Sequence, residues 1–234
     1  MTILHFLGTG SAMVTDRYNT CFLVRQKNNT LLVDCGGGHE ILRQFKENNI
    51  TIQDIDAIFI SHSHADHILG FPFLFRDMIT QQKKMKILCS DKVRQDILAL
   101  VKMDIPEYIE KNKHLADFQN IDDICTYQGF CFFKINAEQH GFLFEEKDKR
   151  IIFSGDVPLC EVKIKDCHVL ICEAFCSEKD NITRTGHHSP IEEVLACVKK
   201  NGIEKVIITH TATQLKKFSS ETVMVPFEGE KLTL

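Results

Sequence analysis

The chain has 234 residues, 44% of them hydrophobic and 26% charged, and a formal net charge of -4 at pH 7. That length supports one sizeable core and is short for two, so residues 1–234 are read as a single domain. The composition excludes a disordered or fibrous chain, no apolar run is long enough to cross a bilayer, and the acidic balance offers no global attraction to nucleic acid.

Short apolar runs alternate with amphipathic ones. The first residues, Met1-Thr2-Ile3-Leu4-His5-Phe6-Leu7, show no basic n-region, so no export signal is expected and the location is read as cytoplasmic. Strands are predicted at 3–7, 20–25, 30–34 and 57–61, with a helix over 40–48. Next come a strand at 84–89 and a helix over 91–103. Strands follow at 130–136, 141–145 and 150–154, the last two joined by the hairpin tip Glu146-Lys147-Asp148-Lys149. Strands at 169–172 and 205–209 flank a helix over 190–200. There Ser189 is the expected N-cap, Pro190 the first helical residue and Glu192 the capping-box partner. Ile191, Val194, Leu195 and Val198 form its buried stripe, and Gly202 ends it. A terminal strand pair is expected within 223–234. The mixture supports a layered α/β or α+β domain and leaves strand order open.

The ten cysteines form no CxxC pair; Cys172 and Cys176 come closest, four apart. Without an export signal they are read as reduced, mostly buried thiols.

Ser61-His62-Ser63-His64-Ala65-Asp66-His67 places three of the chain's 11 histidines and an aspartate directly after the apolar run Ile58-Phe59-Ile60. A single histidine is more often a core or surface residue than a ligand, but a solvated loop needs none of these four groups. His62 and His64, two apart in an extended segment, point to the same side. One such loop can serve two metal ions, His62 and His64 on one and Asp66 and His67 on the other. Imidazole and carboxylate suit Zn²⁺, Mn²⁺ or Fe²⁺. Partners must come from elsewhere. His140, Asp156 and His210 each follow an apolar strand, and loops at one edge of a sheet layer converge. Taken singly each is weak, and the set carries the argument.

These residues resemble the metallo-β-lactamase superfamily. The HxHxDH signature at His62–His67, then His140, Asp156 in Phe153-Ser154-Gly155-Asp156-Val157, and His210 in Ile208-Thr209-His210 appear in the family's order. Asp34 matches an early aspartate that usually supports the site rather than binding metal. Within the superfamily the chain is most similar to the RNase Z-like and phosphodiesterase branch. The opening Phe6-Leu7-Gly8-Thr9-Gly10-Ser11-Ala12, Gly186-His187-His188-Ser189-Pro190, Cys172-Glu173-Ala174-Phe175 and the hairpin-like ending around Phe227-Glu228-Gly229 carry that likeness.

The resemblance implies a four-layer αβ/βα sandwich with two divalent metal ions, Zn²⁺ first and Mn²⁺ or Fe²⁺ as alternatives. One ion would take His62, His64 and His140, the other Asp66, His67 and His210. Asp156 and a nucleophilic hydroxide would bridge them, and Asp66 could also handle a proton. His187, favoured over His188 by family spacing, would assist the leaving oxygen or steady the phosphate, with Glu173 holding its ring. His5, His114 and His168 are read as structural or surface residues, and His39 as a possible pocket border outside the site.

The implied activity is a metal-dependent phosphodiesterase acting on small or cyclic phosphodiesters or nucleic-acid ends. Only 15 residues separate His140 from Asp156, so the long arm with which tRNA-processing members grip tRNA is missing there. No membrane partner is implied, and a homodimer fits because related enzymes are often dimers. The alternatives are a thioester or lactone hydrolase on the same fold, or a metal-binding scaffold without turnover.

Overall fold

Two seven-stranded sheets lie at the centre of the computed structural model, which describes residues 1–27, 29–159, 162, 164–180 and 188–234. The first half of the chain supplies β1 (Thr2–Gly8), β2 (Cys21–Gln26), β3 (Asn29–Val33), α1 (Glu40–Glu47), β4 (Ala57–Phe59), α2 (Ala65–Ile68), α3 (Phe71–Gln81), β5 (Met85–Cys89), α4 (Asp91–Asp104), α5 (Pro106–Asn112) and β6 (Ala116–Asn120). The second half supplies α6 (Ile121–Ile124), β7 (Thr126–Tyr127), β8 (Phe130–Lys134), β9 (His140–Glu146), β10 (Lys149–Phe153), β11 (Val169–Glu173), α7 (Ile191–Asn201), β12 (Lys205–Thr209), β13 (Val223–Met224) and β14 (Lys231–Thr233).

The sheet orders are β14-β1-β2-β3-β4-β5-β6 and β13-β12-β11-β10-β9-β8-β7. Each half begins as an antiparallel meander and continues in parallel: β3 to β6 in the first sheet, β10 to β13 in the second. The parallel strands are covered on both faces, as their near-continuous apolar runs require. Side chains alternate between layers. In β4, Ala57 and Phe59 enter the core between the sheets, while Ile58 joins the outer core. In β11, Val169 and Ile171 face the other sheet, while Leu170 and Cys172 pack with Ile191, Val194 and Val198 of α7. Three apolar layers result, so the four-layer αβ/βα sandwich holds.

The layer between the sheets is rich in phenylalanine. Phe59 stacks on Phe132 at 5.2 Å and meets Phe142 edge-on at 5.3 Å, and Phe142 lies 5.2 Å from Phe153. Such pairs add about 0.5–1.5 kcal/mol each beyond the area they bury.

Several expectations need correction. The terminal strands do not pair with each other: β13 runs parallel to β12, and β14 pairs antiparallel with β1 in the other sheet. The turn at Gly229, with φ +79, carries the chain across, and the Gly229 N–H donates to the Phe6 carbonyl. Pro190, not Ser189, occupies the N-cap of α7, and no side chain caps it. Glu192 instead accepts from the Ser177 hydroxyl and the Glu178 N–H. Helix α3 was not anticipated, although Phe71, Leu74, Phe75 and Met78 are buried at helical spacing. The hairpin tip is as expected, with Lys147 and Asp148 both at positive φ, as a two-residue turn of type I′ requires. Among the described cysteines, Cys21, Cys35, Cys89, Cys167, Cys172 and Cys176 are buried and take part in no disulfide.

Replacing Phe142, which touches rings from both sheets, should leave a cavity that the layer cannot close. Phe142→Ala is expected to lower stability by about 3–5 kcal/mol, read as a fall in the urea midpoint with an unchanged slope.

Candidate metal centre

The polar residues gather where parallel strands end, the edge at which α/β sheets place their ligands. Asp34 directly follows β3, Ser61 to His67 lie just past β4, Asp156 lies past β10, Glu173 closes β11 and His210 follows β12. Asp34 and His210 sit at positive φ, +57 and +52, a region where aspartate and histidine are enriched among non-glycine residues.

Asp34 anchors the histidine loop. Its carboxylate accepts from the Ser61 N–H at 2.8 Å and the Ser61 hydroxyl at 2.9 Å, and lies 2.8 Å from Nδ1 of His67. The Ser61 hydroxyl also lies 3.0 Å from Nδ1 of His62. Both rings are thereby oriented through Nδ1, which leaves each Nε2 to face the centre. The chain leaves the loop past Gly70, where a Cβ would fall 1.9 Å from the Cys35 carbonyl oxygen, so no larger residue fits.

The two sheets meet at Asp156. Its Oδ2 lies 3.5 Å from Nε2 of His62, 3.6 Å from Nε2 of His67 and 3.4 Å from Nε2 of His210. One ligand-forming set is His62, His64 and Asp156; a second is Asp66, His67 and His210. Within each, the donor atoms lie within 4.8 Å of one another. His140 is outside both sets. Its Nε2 lies 2.9 Å from Asp122 Oδ1, its backbone N–H donates to the Ser61 carbonyl, and its Nδ1 is buried without a partner.

Charge and burial test whether a cation fits. Burial drives the His62 ring well below the usual histidine range. Burial opposes a charge on His67 as well, but the Asp34 and Asp156 carboxylates outweigh it and push the ring well above that range. At His210 the carboxylates of Asp156, Asp66 and Glu173 likewise overcome burial and raise the pKa to about 9. Asp66 and Asp156 are held ionised against burial by these same rings. Nε2 of His62, Nε2 of His67 and Oδ1 of Asp156 are buried with no hydrogen-bond partner. Buried nitrogen and oxygen atoms left without partners are costly in a protein interior, and a coordinated cation satisfies their lone pairs. The donor set therefore fits divalent metal.

A second cluster lies beside the first. Glu173, fully buried, accepts from the Ser189 N–H at 2.8 Å through Oε1, and its Oε2 lies 2.6 Å from Nδ1 of His188. Oε2 also stands 3.6 Å from Nδ1 of His210. The family resemblance implies that Glu173 holds His187. That residue lies outside the described ones, and the ring that Glu173 engages is His188. A cleft of about 490 Å³ opens above both clusters, lined by Ser11, Ala12, Met13, Val14, Phe175 and Ala212 together with His64, Asp66, Asp156, His188 and His210. Arg17 ties the loop before it to the His210 segment, donating to the Thr211 carbonyl at 2.8 Å and hydroxyl at 2.9 Å. The His39 ring lies 6.0 Å from that of Phe73, centroid to centroid, and does not line the cleft.

Sequence reasoning missed Ser61, Asp122 and Arg17. Serine, aspartate and arginine are common in loops, and only the pairing of strand ends shows what they hold.

Paired sheets with a HxHxDH loop and an aspartate shared by three imidazoles define an RNase Z-like protein of the metallo-β-lactamase superfamily, whose fold implies divalent metal ions. A family model described as "Anti-Pycsar protein Apyc1" matches residues 2–231, and the chain belongs to that family. Ribonuclease Z from Methanopyrus kandleri is 22% identical over 257 residues, covering 91% of this chain and 88% of that protein. Ribonuclease Z from Methanosarcina mazei is 24% identical over 267 residues, covering 89% and 87%. Among solved structures, the short form of human tRNase Z superposes with a TM-score of 0.74 at 20% identity, covering 99% of this chain and 98% of that one. A diphosphatase of the PhnP family gives 0.75 at 16% identity, covering 100% and 98%.

Asp34 touches no cleft, yet it orients two rings. Asp34→Asn should weaken metal binding about 10–100-fold, measured by competition with a chromogenic chelator. An affinity equal to the parent's would show that the loop holds its shape without this carboxylate.

Proposed function

We propose that the protein is a metal-dependent phosphodiesterase acting on small or cyclic phosphodiesters or short nucleic-acid ends. The convergence of Nε2 atoms from His62, His67 and His210 on one oxygen of Asp156 carries this reading. We assign His62 and His64 to one ion, with His140, whose buried Nδ1 has no partner, as its further nitrogen, Asp66, His67 and His210 to the other, and Asp156 to both, with zinc first and manganese or iron as alternatives. When bound, two such ions activate water and neutralise charge on a phosphoryl group.

The chain's own residues do the rest. Asp34 and Ser61 fix the His67 and His62 rings. Glu173 fixes His188 through Nδ1, leaving Nε2 as the nitrogen that can serve the leaving oxygen. Met13, Val14, Phe175 and Ala212 give the cleft apolar walls. The described lining contains no lysine or arginine, which favours one phosphodiester over a long polyanion. The names of the ribonuclease Z relatives and of the diphosphatase neighbour support chemistry at phosphorus.

Protein loaded with Zn²⁺ or Mn²⁺ should hydrolyse bis(p-nitrophenyl) phosphate, and Asp156→Ala should reduce turnover to the buffer rate. No turnover with both metals bound would redirect the reading to thioester or lactone hydrolysis.

His188→Ala is expected to cost about 10²–10⁴-fold in kcat, with His187→Ala costing far less. The reverse pattern would move the proton-donating role to His187.

A further inference from the structure

We infer that Phe175 is a positioning residue that sets the plane of the His188 ring, so that Nε2 points at the leaving oxygen. The inference rests on the reading of His188 as the proton donor. The Phe175 and His188 rings stack with centroids 4.5 Å apart and planes 7° from parallel. The hydrogen bond between Nδ1 and Glu173, the one identified among the described residues, restrains one edge of the imidazole but tolerates tilting of the ring as χ1 and χ2 vary. A flat partner against its face removes that freedom. Point and plane together define where Nε2 aims.

Core packing does not explain Phe175. It belongs to none of the three apolar cores, and it is half-buried at the wall of the cleft. Its backbone is pinned on both sides of the site. The Phe175 N–H donates to the Ser189 carbonyl at 2.9 Å, and its carbonyl accepts from the Ala212 N–H at 2.6 Å. Ser189 adjoins His188 and Ala212 lies two residues past His210, so Phe175 is held in register with both histidines. His188 and His210 are themselves 5.4 Å apart, centroid to centroid.

The step that needs this aim is departure of the alcohol. Water adds its oxygen to phosphorus as the bond from phosphorus to the leaving oxygen breaks. His188 passes a proton from Nε2 to that oxygen, and the proton released by the attacking water restores the ring. A leaving group that departs as a stable anion needs this proton little, and a poorer one needs it much.

The test compares diphenyl phosphate, a demanding leaving group, with bis(p-nitrophenyl) phosphate, an undemanding one. Phe175→Leu keeps bulk and removes the flat face. It should lower the ratio of kcat on the first to kcat on the second about tenfold. Phe175→Tyr, which keeps the stack, should restore the ratio, and Phe175→Leu should add nothing in a His188→Ala background. An equal loss on both substrates, or a further fall of the ratio without His188, would overturn the role.

A second readout needs no turnover. In ¹H–¹³C spectra the His188 ring protons, assigned by their disappearance in His188→Ala, should be shielded by Phe175 and move downfield in Phe175→Leu. No movement would mean there is no stack and would also overturn the proposal. If wild type cleaves neither diester, the phosphodiesterase reading fails and this role with it. The spectra then distinguish that failure from a missing stack.

Discussion

The bond set of Asp34 is the constraint on which the centre depends. A fully buried carboxylate is costly unless donors surround it, and here all three identified donors come from the loop past β4: the Ser61 N–H, the Ser61 hydroxyl and the His67 ring. Satisfying Asp34 and shaping the histidine loop are therefore one event. The same contacts turn Nε2 of His62 and His67 toward Asp156, so ligand geometry is inherited from a solvation requirement in the sheet beneath.

The centre is also shared between the two halves of the chain. The first sheet contributes the HxHxDH loop; the second contributes Asp156, Glu173 and His210. Neither half alone balances its charges. Rings from both halves hold the Asp156 carboxyl well below the usual carboxylate range against its burial. The phenylalanine layer brings the strand ends together, and the polar cluster at its edge fixes their register. Burial supplies the driving force and is indifferent to small slips, whereas hydrogen bonds and ion pairs fail within an ångström.

The sequence made the candidate ligand types legible because metal chemistry demands particular atoms in one place, and HxHxDH concentrates four of them. Most strands and three helices were legible from apolar periodicity. The rest depended on distant partners. Nothing in the local sequence marks His188 as a ring that Glu173 engages from 15 positions away. That Nε2 of His140 meets Asp122 follows from the path of β8 and β9, which no local pattern encodes. The two terminal strands read as a hairpin because they are close in sequence, and they part because β1 and β12 each have an open edge to offer. Helix α3 was hidden by its position, since an apolar run just after the histidine loop reads equally as strand or helix until its length is counted.

The pairing of β14 with β1 has a consequence for how the protein is made. On the ribosome β1 emerges before the other strands of its sheet, and one of its edges finds its partner only after the whole second sheet has been synthesised. Until then an apolar strand exposes unpaired backbone groups, the condition that invites pairing with another chain. Glu228, which accepts from the Tyr18 N–H, closes the same region. The segment that seals the first sheet thus also fastens the loop at the mouth of the cleft, so a chain released before its last residues would lack both a protected edge and a finished cleft.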